Sequence, residues 1–203
     1  MIMENHRGTC TAFIGTRRIV SGDLSAVAKQ VKTLVSDEEQ AAVMIFDDTT
    51  CNRIEVDFRG TTDDVLNRLT RIATNASVDS STPVETAARP SRGRPKLGVV
   101  AREVTLLPRH WDWLSTQEGG ASVALRKLVE QASRANADQD QMRQSREATY
   151  RFMSAMAGNY AGFEEATRAL FANAPERFNA QIEQWPDDIR IHVQMLSRGA
   201  FSV

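Results

Sequence analysis

One β-prone run, Arg102-Glu103-Val104-Thr105-Leu106-Leu107, stands between a basic Pro/Gly segment and two helical patterns, and it limits how the middle of this chain can fold. Pro108 stops the run and suits the first turn of a helix, where its fixed φ fits and its missing N–H costs nothing. Trp111 and Leu114 then fall three apart on one helical face, with Trp113 beside them. Gly119-Gly120 permits a positive φ and a sharp reversal. Ser122 is expected to cap a second helix, which presents Val123, Leu125, Leu128, Val129 and Ala132. One strand with two helices of about ten residues cannot enclose a core, and its bare edge needs a partner. The expected partner is a second copy of the chain, pairing the strand antiparallel across a twofold axis. Val104, Leu106, Trp111, Leu114, Leu125 and Leu128 would form the dimer core.

Charge is distributed unevenly around this unit. The chain has 203 residues and a formal net charge of -1. Arg89–Lys127 nevertheless carries eight basic and three acidic side chains, while the segments on either side are both net acidic. A local excess of this size is the electrostatic footprint of a polyanion partner, and the whole-chain charge conceals it. Upstream, Asn75–Ser91 is rich in Ser, Thr, Ala and Pro and almost devoid of large apolar residues, so it reads as a linker.

The flanks divide differently. Thr9–Ile14 and Arg17–Ser21 predict a hairpin about Gly15. Leu24, Val27, Ala28, Val31, Leu34 and Val35 follow at helical spacing, with Ser21 and Asp23 as candidate caps. Val43–Phe46 predicts an apolar strand, Asp47–Thr50 a turn, and the alternation of Ile54, Val56 and Phe58 a half-buried strand. Val65, Leu66, Leu69 and Ile72 mark one face of a helix after Thr62. Beyond Ala132 the pattern is helical, broken at Gly158-Asn159, Pro175 and Pro186, with Phe163, Leu170, Phe171, Phe178, Ile182, Trp185, Ile189, Val193 and Leu196 as apolar positions. The expected class is α+β. Its parts are a small ββαββα unit (1–74), a linker with a basic arm (75–98), a strand-helix-helix unit (99–135) and a bundle of short helices (136–203).

Three resemblances follow from particular residues. Arg92-Gly93-Arg94-Pro95-Lys96 resembles the AT-hook, a minor-groove binder built on Arg-Gly-Arg-Pro. Glycine lets the backbone lie on the groove floor, proline holds it extended, and the arginines follow the narrow negative groove of A·T tracts. Residues 100–134, with Gly120-Ala121-Ser122 ahead of Ala124-Leu125-Arg126-Lys127-Leu128, resemble a ribbon-helix-helix domain of the Arc/MetJ type. That resemblance implies a dimer whose two-stranded ribbon enters the major groove and whose second helix holds a phosphate at its N-terminus. The ribbon would be Arg102–Leu107, and the clamp the backbone around Ala121 and Ser122, with Arg126 and Lys127 nearby. Arg102 and Thr105 are the candidate ribbon contacts. In one register the groove would face Glu103, Thr105 and Leu107; in the other, Arg102, Val104 and Leu106. Neither set is a strong base reader, since a carboxylate repels DNA, so phosphate and arm contacts are expected to dominate. Finally, AREVTLLPRHWDWL, GGASVALRKLV and FEEATRALF resemble an uncharacterised bacterial domain-of-unknown-function family, which implies a bacterial cytoplasmic protein and no particular activity.

Chemistry of other kinds finds little support. His6, His110 and His192 are scattered and form no metal-ligand motif, so neither metal nor cofactor is expected. Asp47-Asp48 suits an acidic turn better than an acid/base pair, and Asp187-Asp188 suits the first turn of a helix. Cys10 and Cys51 read as buried thiols. No apolar run is long enough to span a membrane, and the N-terminus lacks a signal-peptide core. The expectation is therefore a cytoplasmic homodimer that binds AT-rich DNA, a transcriptional regulator or nucleoid-associated factor and not an enzyme. The alternative is a protein-interaction module in which the central unit only dimerises.

Overall fold

The computed structural model describes residues 8–78, 100 and 102–201. In chain order the elements are β1 (Cys10–Ile14), β2 (Arg17–Gly22), α1 (Leu24–Leu34), β3 (Val43–Asp47), β4 (Arg53–Ile54), α2 (Thr62–Val78), α3 (Pro108–Ser115), α4 (Gly120–Ala135), α5 (Ala137–Met156), α6 (Phe163–Phe171), α7 (Pro175–Ile182) and α8 (Asp187–Leu196). Short 3-10 turns cover Gln40–Ala42 and Ser197–Gly199. The class is α+β, as the residue patterns predict.

The strands form one antiparallel sheet in the order β2-β1-β3-β4. Strand alternation sends its side chains to two different cores. Cys10 and Ala12 of β1 and Val43 and Ile45 of β3 pack against Val27 and Val31 of α1 and Val35 just after it. Phe13 and Phe46 point the other way, into a core shared with Phe152, Met153, Leu170, Phe178, Ile182, Trp185, Ile189 and Val193 of the C-terminal helices. Phe152 stands 5.3 Å from the Phe13 ring and 5.2 Å from the Phe46 ring, edge-on or tilted to each. The sequence suggested separate units over 1–74 and 136–203. Instead, the described residues at the two ends of the chain belong to one compact unit, and residues 100–137 belong to another. The reason is that β1 and β3 carry apolar side chains on both faces, and α5 to α8 cover the face that α1 leaves open.

Smaller differences have local causes. The alternation through Phe58 predicts a longer fourth strand, but only Arg53 and Ile54 pair with β3. Arg68 takes the Asp57 carbonyl at 2.7 Å and also donates to the Arg59 carbonyl, so that backbone is satisfied without a ladder. Val56 and Phe58 still pack beside the α1 core. Phe171 is exposed rather than buried, its ring 5.8 Å from that of Tyr150. The helix after Thr62 continues to Val78, into the stretch read as linker. The rest of that linker, and the arm Arg92, Gly93, Arg94, Pro95 and Lys96, lie outside the described residues.

The acidic turn after β3 is structural in its contacts. Asp47 Oδ1 accepts from the Thr49 N–H at 3.0 Å, the Thr50 N–H at 2.7 Å and the Thr50 hydroxyl at 2.9 Å. Asp48 accepts from the Thr11 hydroxyl at 2.7 Å. Cys51 follows at φ 54, fully buried, its N–H donating to the Asp47 carbonyl. Asp47→Ala is expected to destabilise the fold by about 1–2 kcal/mol, read from urea unfolding midpoints at constant slope. No change in midpoint would mean the turn holds without its aspartate. Both cysteines are free and buried, and burial pushes Cys10 up to about 11 and Cys51 to about 12, so neither is a ready nucleophile.

Candidate nucleic-acid interface

Residues 102–107 run without turn or bend into α3. The Arg102–Leu106 backbone makes no hydrogen bond to any described residue, so the run has no strand partner within the described chain. Leu107 is extended, at φ -67 and ψ 150, and Pro108 occupies the first turn of α3. That turn carries Arg109 and His110, both exposed, and no acidic residue.

The reversal to α4 is built on two glycines. Gly119 at φ 82 is the residue before the helix, and Gly120 at φ 75 begins it. The expected cap, Ser122, is instead the third residue of the helix, because left-handed Gly119 takes the cap position and starts the helix three residues earlier. Its carbonyl accepts from Arg126 Nε at 3.0 Å. No side chain caps α4, and no acidic residue lies in its first turn. The N–H groups of Ala121 and Ser122 have no acceptor among the described residues, so they and the helix dipole are open to an anion. With no breaker before Asn136, α4 runs for 16 residues, longer than expected. Arg126 and Lys127 are exposed, whereas Arg134 is paired to Glu130. A Cβ on Gly119 would meet Val123 side-chain atoms at 3.1 Å in a conformation L residues avoid. Gly119→Ala is therefore expected to weaken the α3–α4 turn by about 1–2 kcal/mol. Amide exchange in α3 and α4 should quicken while that of α5 to α8 stays unchanged; equal protection in both forms would contradict this.

Little of the unit's apolar surface is covered. Leu114 is 2% exposed and Ala124 is buried, while Leu106 and Leu125 are half-buried. Val100, Val104, Leu107, Trp111, Trp113, Leu128 and Val129 are all exposed. Of the six expected dimer-core residues, the single chain thus buries Leu114, half-buries Leu106 and Leu125, and leaves Val104, Trp111 and Leu128 bare. A shallow groove of about 900 Å³ is lined by Val100 and Arg102 together with Leu125, Arg126, Val129 and Ser133 of α4. Arg102 therefore lies on the helix side of the run. Thr105, three residues on, is exposed, as Arg102 is.

One residue of interest was not legible as such. His192 is fully enclosed in the other unit, its ring 5.1 Å from Phe13 and 4.5 Å from Phe152, and its Nε2 has no partner among the described residues. Burial drives its pKa down to about 4; nearby Asp48 raises it and Arg18 lowers it, and burial outweighs both. In the sequence it is a lone histidine at a helical core spacing. Among the described residues, no cluster of His, Cys, Asp and Glu could hold a metal ion, and no helix is long and apolar enough to cross a membrane.

The family model for an uncharacterized protein conserved in bacteria, DUF2239, matches residues 9–197. No curated protein and no solved structure matches the chain.

Proposed function

Given that the chain belongs to this bacterial family, DUF2239, we propose that it is a homodimeric DNA-binding protein, a transcriptional regulator or nucleoid-associated factor with a preference for AT-rich duplex. The observation that carries the reading is the combination found in residues 100–135. An exposed run whose backbone is unpaired among the described residues leads into two helices, and the second helix opens with N–H groups that lack an acceptor among the described residues and with no acidic side chain in its first turn. Pairing two such runs across a twofold axis would satisfy their backbones and cover Val104, Trp111 and Leu128. Each dimer would then carry two helix N-termini that can hold a phosphate, flanked by Arg126 and Lys127. The basic arm from Arg92 to Lys96 would follow the neighbouring minor groove. Proteins of this kind bind largely through phosphates, which needs cations and open N–H groups more than base readers.

Fluorescence anisotropy with AT-rich and GC-rich duplexes tests the reading. Affinity for AT-rich duplex is expected to exceed that for GC-rich and to fall more than about tenfold between roughly 50 and 200 mM salt. Absent or salt-insensitive binding would refute it. The exposed Trp113 and Val129 favour a second reading, a module that joins other proteins through the same unit. That reading gains if the chain is a dimer in solution but ignores DNA.

A further inference from the structure

We propose that the cleft between α1 and the segment after β4 binds a small organic carboxylate, its apolar body against Val56 and Phe58 and its carboxylate accepting from Lys32 and Arg59. The cleft belongs to the unit formed by the two ends of the chain, so it stands apart from the DNA-binding reading.

The cleft exists because β4 leaves the sheet early. Only Arg53 and Ile54 pair with β3, and Arg68 then ties the chain to α2 through the carbonyls of Asp57 and Arg59. A cavity of about 580 Å³ opens between residues 56–60 and the turn at Gln40 and Ala41, with Lys32 of α1 also lining it. That volume suits a small organic ligand. Val56 and Phe58 line it while packing beside the α1 core, so the apolar wall is held in place.

The charge buried at the cleft is positive. The Lys32 side chain is 11% exposed, whereas that of its partner Asp37 is 86% exposed. Water therefore screens the carboxylate far more than the ammonium. Lys32 Nζ donates to Asp37 Oδ1 at 3.0 Å and to Gln40 Oε1 at 3.2 Å, and its third proton has no acceptor among the described residues. Gln40 is itself buried, and its Nε2 donates to the Val35 carbonyl and to Asp37 Oδ1, each at 3.0 Å, which fixes its oxygen toward Lys32. Arg59 donates to Asp57 through Nε at 2.9 Å and Nη2 at 3.0 Å, and its Nη1 has no acceptor among the described residues. Both carboxylates of the cleft are thus engaged, while each of two cations keeps a donor. A ligand carboxylate would take those donors; an amine would have to compete with Lys32 and Arg59 for Asp37 and Asp57. A ligand without an apolar body would leave Val56 and Phe58 wet, and a phosphate would lose more hydration against them than a carboxylate does.

The test is titration of the isotope-labelled full chain, followed by amide NMR shifts, with benzoate and hexanoate against benzylamine, acetate and inorganic phosphate. Saturable shifts are expected at residues 37–41 and 56–60, with benzoate or hexanoate binding at least about tenfold more tightly than the other three. Lys32→Met keeps the apolar stem and removes the donor, and should weaken that binding about ten- to a hundredfold. Because Lys32 also holds Asp37 and Gln40, a second variant separates binding from folding. Ala41→Phe fills the cleft from an exposed position, and should abolish the shifts while the urea unfolding midpoint stays that of the parent. Absent shifts at these residues, equal affinity for benzylamine, acetate or phosphate, or unaltered binding by Ala41→Phe would each overturn the assignment.

Discussion

Val104→Asp is expected to convert the chain from a dimer to a monomer, the light-scattering mass at micromolar concentration falling from twice 22.6 kDa to 22.6 kDa. In the single chain Val104 is exposed, so the substitution removes no packing there. In the paired ribbon two aspartates would enter a shared apolar core without counterions, at several kcal/mol each. DNA affinity should fall about a hundredfold or more, because the two phosphate clamps and two arms would no longer act as one bivalent binder. A dimeric Val104→Asp chain, or a monomeric parent, would show that residues 102–107 do not pair across a twofold.

The second large effect concerns acid. His192 is held neutral in the fold, with its pKa pushed from 6.5 down to about 4. Its ring lies between Phe13 and Phe152, with Asp48 favouring the charged form and Arg18 opposing it. As pH drops below 6.5 the unfolded chain takes up this proton while the folded chain resists. Stability contributed by the neutral ring is thus full above 6.5, declines through the interval, and levels off below about 4. The loss across the window is about 3 kcal/mol. Urea unfolding of the parent and of His192→Phe at pH 7, 6, 5 and 4 would measure it, since phenylalanine keeps the ring and removes the titration. Parallel losses in the two chains would mean that His192 is already free to protonate in the fold. Asp57, held down to about 2 mainly by its hydrogen bond with Arg59, loses its own contribution as pH falls below the usual carboxylate range, and does so equally in both chains.

Most of the elements were legible in the residues. Gly15 between two β-type runs, the helical spacing from Leu24 to Val35 and Asp23 ahead of it gave the hairpin and α1; the Asp23 side chain does cap that helix, accepting from Ser25 and Ala26. Pro108, Pro175 and Asp187 mark helix starts for the usual reasons of φ and dipole. The α4 start was misplaced because capping by a left-handed glycine leaves a weaker signature than a serine. His192 carried no signal, since a histidine at core spacing looks the same whether its ring is solvated or enclosed.

The amino-acid order by itself determined which segments are helical or extended, several of their starts, and where cationic charge gathers. Those properties are local: backbone preference, side-chain period and charge act over a few residues. Only the tertiary structure decided that the first and last parts of the chain share one core, and that His192 is sealed among phenylalanines. Each of these depends on which distant surfaces meet, and a burial energy proportional to contact area has no counterpart along the chain until those surfaces are brought together.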